Sequence, residues 1–405
     1  MNAAGGPFLL DCEDSSWFRD QPEAARGAAA ALGRRIGLGE HRTAQLVLAV
    51  AELATNVTKH AHSGSMALRV LRNRDVAGVE VIVVDAGPGI ADVAQALRDG
   101  VSTIGTLGIG LGAVQRLADT FAIHSAPGLG TLQLARFWPH PLHPSLSGEA
   151  FVGGITRSIG GEEVCGDAWA ARTDTGRDTR AATAGPDRPG TAAAPDWSAM
   201  TATATGSRSL HSAARDPHRP LRPAKAGRSE LVRGATAGPG AGVLVMSCDG
   251  LGHGPMAALA AQAAVQAFRT GTARTPEQVI GEVHRALRGT RGAAIAAARL
   301  EPDGRVLFCG IGNITASVVT TSSRANLLSH PGIVGHQMRQ LRTYEHQLPA
   351  HGALVMHSDG LSERWTPGDL ASLLHHPPAL IATGLLRLAG TRRDDASVVV
   401  AKGAW

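Results

Sequence analysis

Two aspartates set the chemistry to look for. Residues 243–254 (VLVMSCDGLGHG) are an apolar run that stops at Asp249 and goes on through Gly250, Gly252, His253 and Gly254. The phrase returns at 353–361 (ALVMHSDGL), with Asp359 in the matching place. Each copy predicts a buried strand that delivers a carboxylate to a sheet edge, beside glycines that let the backbone come close to whatever the carboxylate holds. Carboxylate and carbonyl oxygens in this arrangement suit a hard divalent cation. Two further acidic positions are of the same kind: Asp167 after Gly166, and the pair Asp394–Asp395 between Arg393 and ASVVV. Four carboxylates gathered without cations would repel and raise one another's pKa values. A pair of divalent metals removes that conflict and activates a water for in-line attack on a phosphate. The patterns Ser-x-x-Lys, Gly-x-Ser-x-Gly and Cys-x5-Arg are all absent, which argues against a covalent hydrolase.

A second constellation lies upstream. Leu46, Val50, Leu53 and Val57 recur at helical spacing and predict a helix over 41–59. Glu52 and Asn56 sit four apart on another of its faces. A strand over 79–84 ends in Asp85-x-Gly87-x-Gly89, and the loop 105–112, with Gly108, Gly110 and Gly112, opens a further helix whose amides suit phosphate oxygens. This is not a dinucleotide fingerprint, because no strand leads into the glycines, and not a P-loop, because no Gly-Lys-Ser/Thr follows.

The elements that must hold these groups follow from periodicity and punctuation. Helices are expected at 22–36, 41–59, 256–269 and 276–288, and from the glycine loop to about 119. Strands are expected at 66–71, 79–84, 121–125, 131–137, 151–158, 163–171, 293–300, 305–311, 316–320, 353–359 and 396–401, with a proline-broken linker after Trp138. The 405 residues allow two or three domains with sizeable cores. Residues 172–240 are rich in Ala, Thr, Gly, Pro and Arg and poor in aliphatics, so a disordered insert is expected between two strands that would otherwise form a hairpin. Between 172 and 233 stand eleven basic residues against six acidic, which accounts for the whole formal excess of +5. The basic pI therefore belongs to the insert, and nucleic acid is not an expected partner. No apolar run nears the roughly 20 residues that span a bilayer, and no basic segment precedes an apolar one at the N-terminus, so a cytoplasmic protein without a membrane partner is expected. Cys12, Cys165, Cys248 and Cys309 form no CxxC pair and are expected as free thiols.

Taken in order, ELATNVTKHA, VDAGPGI and LGIGLGAVQRLADTF with SAPGLGT and ARFW resemble the three nucleotide boxes of the GHKL (histidine-kinase-like) ATPase superfamily, closest to the small serine kinases that act as anti-sigma or switch factors. The resemblance covers about residues 8–138. It implies ATP held by Asp85 on the adenine amino group with support from Thr131. It further implies Mg²⁺ held by Asn56, the loop 105–112 closing as a lid, and Glu52 as the base that deprotonates a protein serine or a water.

The order GD, DGLGHG, SDGL and RDDASVVV resembles the metal-dependent (PPM) protein phosphatases of the sporulation stage II and stress-module branch, over about 149–401 apart from the insert. The family implies an αββα sandwich with Mn²⁺ or Mg²⁺ between two sheets. Carried over by position, Asp249 bridges both metals, the Gly250 carbonyl binds one, and Asp167, Asp359 and Asp394 complete the set, with Asp395 a close alternative to Asp394. Two departures stand out: no second acid follows Asp167, and Gly312-Asn313 stands where relatives often carry Gly-His. His253 is open to two roles, a contact to substrate or metal-bound water, or a histidine that fixes the turn.

The expected whole is an α+β chain: a GHKL α/β sandwich over 1–138, a linker over 139–148 and an αββα phosphatase over 149–401. The resemblances imply a phosphatase acting on a phosphoserine-bearing, STAS-type anti-sigma antagonist within partner-switching control of a sigma factor, and they are compatible with a homodimer. The competing expectation is a nucleotide-sensing domain without kinase activity that gates the phosphatase; a third is a scaffold with both sites vestigial.

Overall fold

The computed structural model describes residues 7–19, 22–73, 76–98, 110–143, 146, 148–160, 162–174, 242–338 and 340–403. The glycine loop up to Ile109, with Gly108, lies outside the described residues, as does the body of the expected insert.

The N-terminal half runs β1 (Asp11–Cys12), β2 (Ser16–Phe18), a 3-10 turn (Pro22–Ala24) into α1 (Ala25–Arg35), α2 (Glu40–His60), β3 (Gly64–Asn73), β4 (Val76–Asp85), α3 (Val93–Ala96), α4 (Gly110–Leu117), β5 (Thr120–Ala126) and β6 (Gly130–Phe137). Its antiparallel sheet has the order β1-β3-β4-β6-β5, with β2 also on β3. Alternation along β4 sends Val79, Val81 and Val83 into a core with α1, α2 and α4, where Leu46, Val50, Leu53 and Val57 form the buried stripe that the spacing predicts. Trp138 closes this half and is not free linker: it is buried, its carbonyl accepts from Arg42 Nε at 3.1 Å, and its indole lies against Gly78, where a side chain would collide.

The C-terminal half runs β7 (Val152–Arg157), β8 (Asp167–Thr173), β9 (Val243–Gly250), α5 (Pro255–Thr270), α6 (Pro276–Ala286), β10 (Ala293–Leu300), β11 (Arg305–Ile311), β12 (Thr315–Val319), β13 (Arg324–Leu327), β14 (Ser329–His330), β15 (Tyr344–Gln347), β16 (Ala353–His357), α7 (Pro367–Leu370), α8 (Pro378–Ala389) and β17 (Ala396–Lys402). One sheet has the order β14-β11-β10-β9-β8 with β15 on β11, the other β13-β12-β16-β17-β7. Their facing sides interdigitate through Val243, Val245, Ala296, Phe308, Leu354 and Val399. The outer face of the first is covered by α5 and α6, that of the second by α8. The result is the expected αββα sandwich.

Two expectations need correction here. Residues 163–166 are loop, so β8 begins only at Asp167. The insert does not start at 172, because Arg172 and Thr173 continue β8 and the Asp174 N–H donates to Gly242 O at 3.0 Å. Their polar side chains hid this extension, since Asp174 is buried only by pairing with Arg299, more than a hundred residues away.

The two halves share a core. Helix α8 (PALIATGLLRLA) has no counterpart in the sequence expectations. Ten of its twelve residues are buried, so it has no polar face and must be covered on more than one side. Ala379 touches Gly153 of β7, while Gly384 approaches Leu132 of β6, whose neighbours Leu134 and Ile82 join the same cluster. The free face of the N-terminal sheet is thus roofed by the phosphatase-like half. Arg69 fixes the seam: it pairs with Glu80 and donates through Nη1 to Gly154 O at 2.6 Å, while Arg136 Nε holds the other Glu80 oxygen at 2.8 Å. Burial pushes the Glu80 carboxyl up, but the charges of Arg69 and Arg136 outweigh it and hold the group below its ordinary value.

Truncating fully buried Leu385 to alanine should cost about 2–5 kcal/mol. Because α8 is shared, hydrogen exchange should rise together in β6 and β17 of Leu385→Ala. Protection unchanged in β6 would show that the two halves are stabilised separately.

Candidate metal centre and nucleotide pocket

Strand parity assembles the acidic centre. Asp249 shares the alternation of Val243 and Val245, so it points into the gap between the two C-terminal sheets. Asp167 is its direct cross-strand partner in the β8–β9 ladder and enters the same gap. Asp359 follows β16 and Asp394 precedes β17 at the same end. The glycines make the approach sterically open. A side chain on Gly250 would meet Ala257 O and, at 2.8 Å, Gly166 O; one on Gly166 would lie 2.7 Å from Asp395 Oδ2; one on Gly360 would collide with Asp395 O.

The electrostatics follow from the crowding. Burial, then the charges of Asp359 and Asp394, pushes the Asp249 carboxyl up to about 7, against hydrogen bonds from Asn313 and Asp167. Burial, then the Asp249 charge, raises Asp167 well above the carboxylate range, and its Oδ2 has no hydrogen-bond partner. Asn313 Nδ2 donates to Asp359 Oδ2 at 2.6 Å. Asp394 and Asp395 have different surroundings. Asp395 is buried and accepts from Ile159 N and Gly166 N, each at 2.7 Å, whereas Asp394 is half-buried and its charge reaches Asp249. Among the described residues no three His, Cys, Asp or Glu side chains are already drawn into a closed cage. An unpartnered buried carboxylate oxygen, a second carboxyl held near neutrality by its neighbours and a set of hard oxygens alone nevertheless fit a divalent cation.

Sequence reasoning missed several participants. The hydroxyls of Ser358 and Ser397 face Asp167 and draw its carboxyl back down; both stand within the quoted motifs, as HSDG and DDAS. Asn313 was visible only as a departure. His253 Nδ1 lies 3.3 Å from Glu162 Oε1, so the loop before β8 and the glycine turn after β9 are tied by side chains. An open groove of about 590 Å³ is lined by Asn313, the partner of Asp359, with Thr315, Arg324, Asn326 and Glu363.

In the N-terminal half Asp85 shares the parity of Val79, Val81 and Val83 and so faces the helices, where α2 presents Glu52 and Asn56, both half-buried. The Asp85 Oδ1 atom accepts from Gly87 N at 3.0 Å and Thr131 N at 3.1 Å. Burial raises this carboxyl against those two bonds. A side chain on Gly87 would lie 2.9 Å from His60 O, and Gly89, at φ 74°, leaves no space for a side chain against Ala126 O. Ser125 is a further missed residue: its Oγ is 3.0 Å from Thr131 Oγ1, accepts from Ile90 N at 2.8 Å and lies 3.0 Å from Gly130 O. The turn at Gly128 is more than a plain reversal, because its N–H donates to Pro88 O at 2.7 Å and holds the Asp85 loop. Gly110 and Gly112 open α4.

The comparisons with known proteins agree with this geometry. Residues 19–136 match the histidine kinase-like ATPase domain, and residues 239–403 match stage II sporulation protein E. The serine/threonine-protein kinase RsbT of Bacillus subtilis is 37% identical over 129 residues, which are 31% of this chain and 97% of that protein. Among solved structures, one from the bacterial stressosome aligns with a TM-score of 0.42 and 23% identity over 62% of this chain and 98% of its own. The phosphatase domain of SpoIIE from Bacillus subtilis, with a fragment of its regulatory domain, aligns at 0.39 and 12% over 95% of each. The chain is therefore a fusion of two signalling modules. It belongs to the histidine kinase-like ATPase family through an RsbT-like kinase-like module, and its C-terminal half carries a stage II sporulation protein E-type domain. Among the described residues no helix is long and apolar enough to cross a membrane.

Without cations, folded Asp249 keeps its proton to about pH 7, whereas in the unfolded chain it loses it near 3.8. The folded state binds the extra proton in that window, so its stability falls as pH rises through it. The Tm of the cation-free protein should drop between pH 5 and 7.5, and Asp249→Asn should flatten the profile. A wild-type Tm that is level across the window would contradict this electrostatic account.

Proposed function

We propose that the chain is a metal-dependent protein serine/threonine phosphatase governed by, or paired with, an ATP-binding serine-kinase-like module in partner-switching control of a sigma factor. The observation that carries this reading is the gathering of Asp167, Asp249, Asp359 and Asp394 from four separate strand ends: Asp167 is the cross-strand partner of Asp249, and the charges of Asp359 and Asp394 bear on Asp249. In it, Asp249, the Gly250 carbonyl, Asp167, Asp359 and Asp394 would hold the Mn²⁺ or Mg²⁺ ions. Bound there, the cations would neutralise the carboxylates and supply activated water for attack on a phosphoserine. Asn313 orients Asp359, and Asp395 serves as scaffold. The substrate is a small STAS-type anti-sigma antagonist phosphorylated on serine.

In the N-terminal module Asp85 takes the adenine amino group with Thr131, Gly87 and Gly89 shaping the pocket. Asn56 holds Mg²⁺, the loop with Gly108, Gly110 and Gly112 covers the phosphates, and Glu52 is the base. RsbT is named as a kinase, and the presence of Glu52 favours phosphoryl transfer here too. The second reading, a nucleotide sensor that gates the phosphatase, is favoured by α8, which packs against the strands that carry Asp85 and Thr131.

Incubation of a serine-phosphorylated antagonist with Mn²⁺ and the protein should release phosphate, and Asp249→Ala should slow release by more than the roughly 10–100-fold typical of outer-shell changes at metal sites. Dephosphorylation undiminished in that variant would sink the assignment. Transfer of labelled γ-phosphate to the same partner should fall about 10²–10⁴-fold in Glu52→Gln; no transfer by the wild type, with ATP still bound, would select the sensor reading.

A further inference from the structure

Three arginines near the acidic centre have no acid to pair with among the described residues. Arg157 ends β7, and its Nη2 donates to Thr391 O in the loop that carries Asp394. Arg19 follows β2, a strand of the N-terminal sheet, and its Nη2 donates to Ser158 O at 3.3 Å. It is held there by Trp17, whose Nε1 donates to Thr156 O at 2.8 Å. Arg392 is exposed in the loop between α8 and β17. Burial, then the charges of Arg19 and Arg392, pulls the Arg157 guanidinium below its ordinary value, so Arg157 feels both other charges. Among the described residues none of the three is ion-paired with a carboxylate.

A cluster of like charges costs stability unless something answers it. The bland account is that these arginines only brace loops. That accounts for one donor each in Arg19 and Arg157, whereas a guanidinium carries five N–H groups in a fork shaped for carboxylate or phosphate oxygens. Nor are the arginines needed to neutralise the acidic centre once cations occupy it. Arg393, also exposed, extends the patch towards Asp394.

We propose that Arg19, Arg157 and Arg392 form an anion-binding subsite that takes acidic side chains flanking the phosphoserine of the protein substrate. The subsite is composite: the kinase-like module lends Arg19 to the surface on which the phosphatase receives its substrate. This rests on the phosphatase reading above and adds to it a substrate preference and a reason for the fusion. Charge steering of this kind acts on encounter and affinity, and it weakens with salt.

The test uses the full chain with Mn²⁺ and two phosphoserine peptides that differ only in flanks, one with aspartates and one with serines. The wild type should show a kcat/KM ratio of about 10 or more in favour of the acidic peptide. In Arg19→Ala and Arg392→Ala the ratio should fall towards one, and Arg19→Lys should restore part of it. Binding of the labelled acidic peptide, read by anisotropy, should weaken about tenfold in the same variants and lose its salt dependence. A ratio and an affinity that do not change in Arg19→Ala would overturn the subsite. A wild type that binds the acidic peptide through these arginines but hydrolyses neither would sink the phosphatase reading and leave the subsite standing.

Discussion

Everything in this chain hangs on a helix that cannot face water. Apolar residues occur all round α8, so it folds only if sheets cover it from two sides. One cover is the β7–β17–β16 sheet of the phosphatase, and the other is the back of the kinase-like sheet. The kinase-like sheet has the complementary problem: Ile82, Leu132 and Leu134 would be a bare apolar face without α8. Each half therefore resolves the exposed surface of the other, and both halves belong to the same compact unit. The buried Arg69–Glu80–Arg136 triad adds little net stability for its desolvation, but it admits only one seating, since the remaining Arg69 donor must find Gly154 O.

That seating gives the two sites a common mechanical element. Of the N-terminal sheet strands under α8, β4 ends in Asp85 and β6 carries Thr131 as its second residue, and the C-terminus of α8 passes within five residues into Asp394. Arg387, on the last turn of α8, carries its charge to Asp85. Coupling needs contacts that differ between two states, and a helix wedged between both sheets is where such a difference can be transmitted.

Much of this was legible in the sequence, and for identifiable reasons. Asp249 and Asp359 were found because each stands where an apolar run breaks at glycine, and the glycines are there because neighbouring backbones pass where a side chain would collide, as at Gly250 and Gly360. Helix α2 was found because one face is wet and its apolar stripe keeps the helical period. Helix α8 was not found because a helix buried on all sides has no period to detect. The extension of β8 to Thr173 and the buried Asp174 were invisible because Arg299 is remote in sequence. Ser125, Ser358 and Ser397 are small hydroxyls whose meaning depends wholly on which carboxylate or hydroxyl folding sets opposite them.

The pair Asp394–Asp395 shows how two adjacent acids come to different surroundings. Successive residues entering a strand point to opposite sides. Asp395 turns inward with Ser397 and Val399 and spends both oxygens on the N–H groups of Ile159 and Gly166. Those bonds fasten the loop between β7 and β8 to the start of β17, which fixes Gly166 and hence Asp167, the next residue. Asp394 lies in the loop before β17, outside that alternation, and its charge reaches Asp249. A buried carboxylate that accepts two backbone N–H groups is worth more to the fold as an acceptor than as a ligand, and its neighbour is available for chemistry because Asp395 is not. The acidic centre is thus built outward from Asp395: the residue that holds no cation in this scheme is the one that sets the positions of those that do.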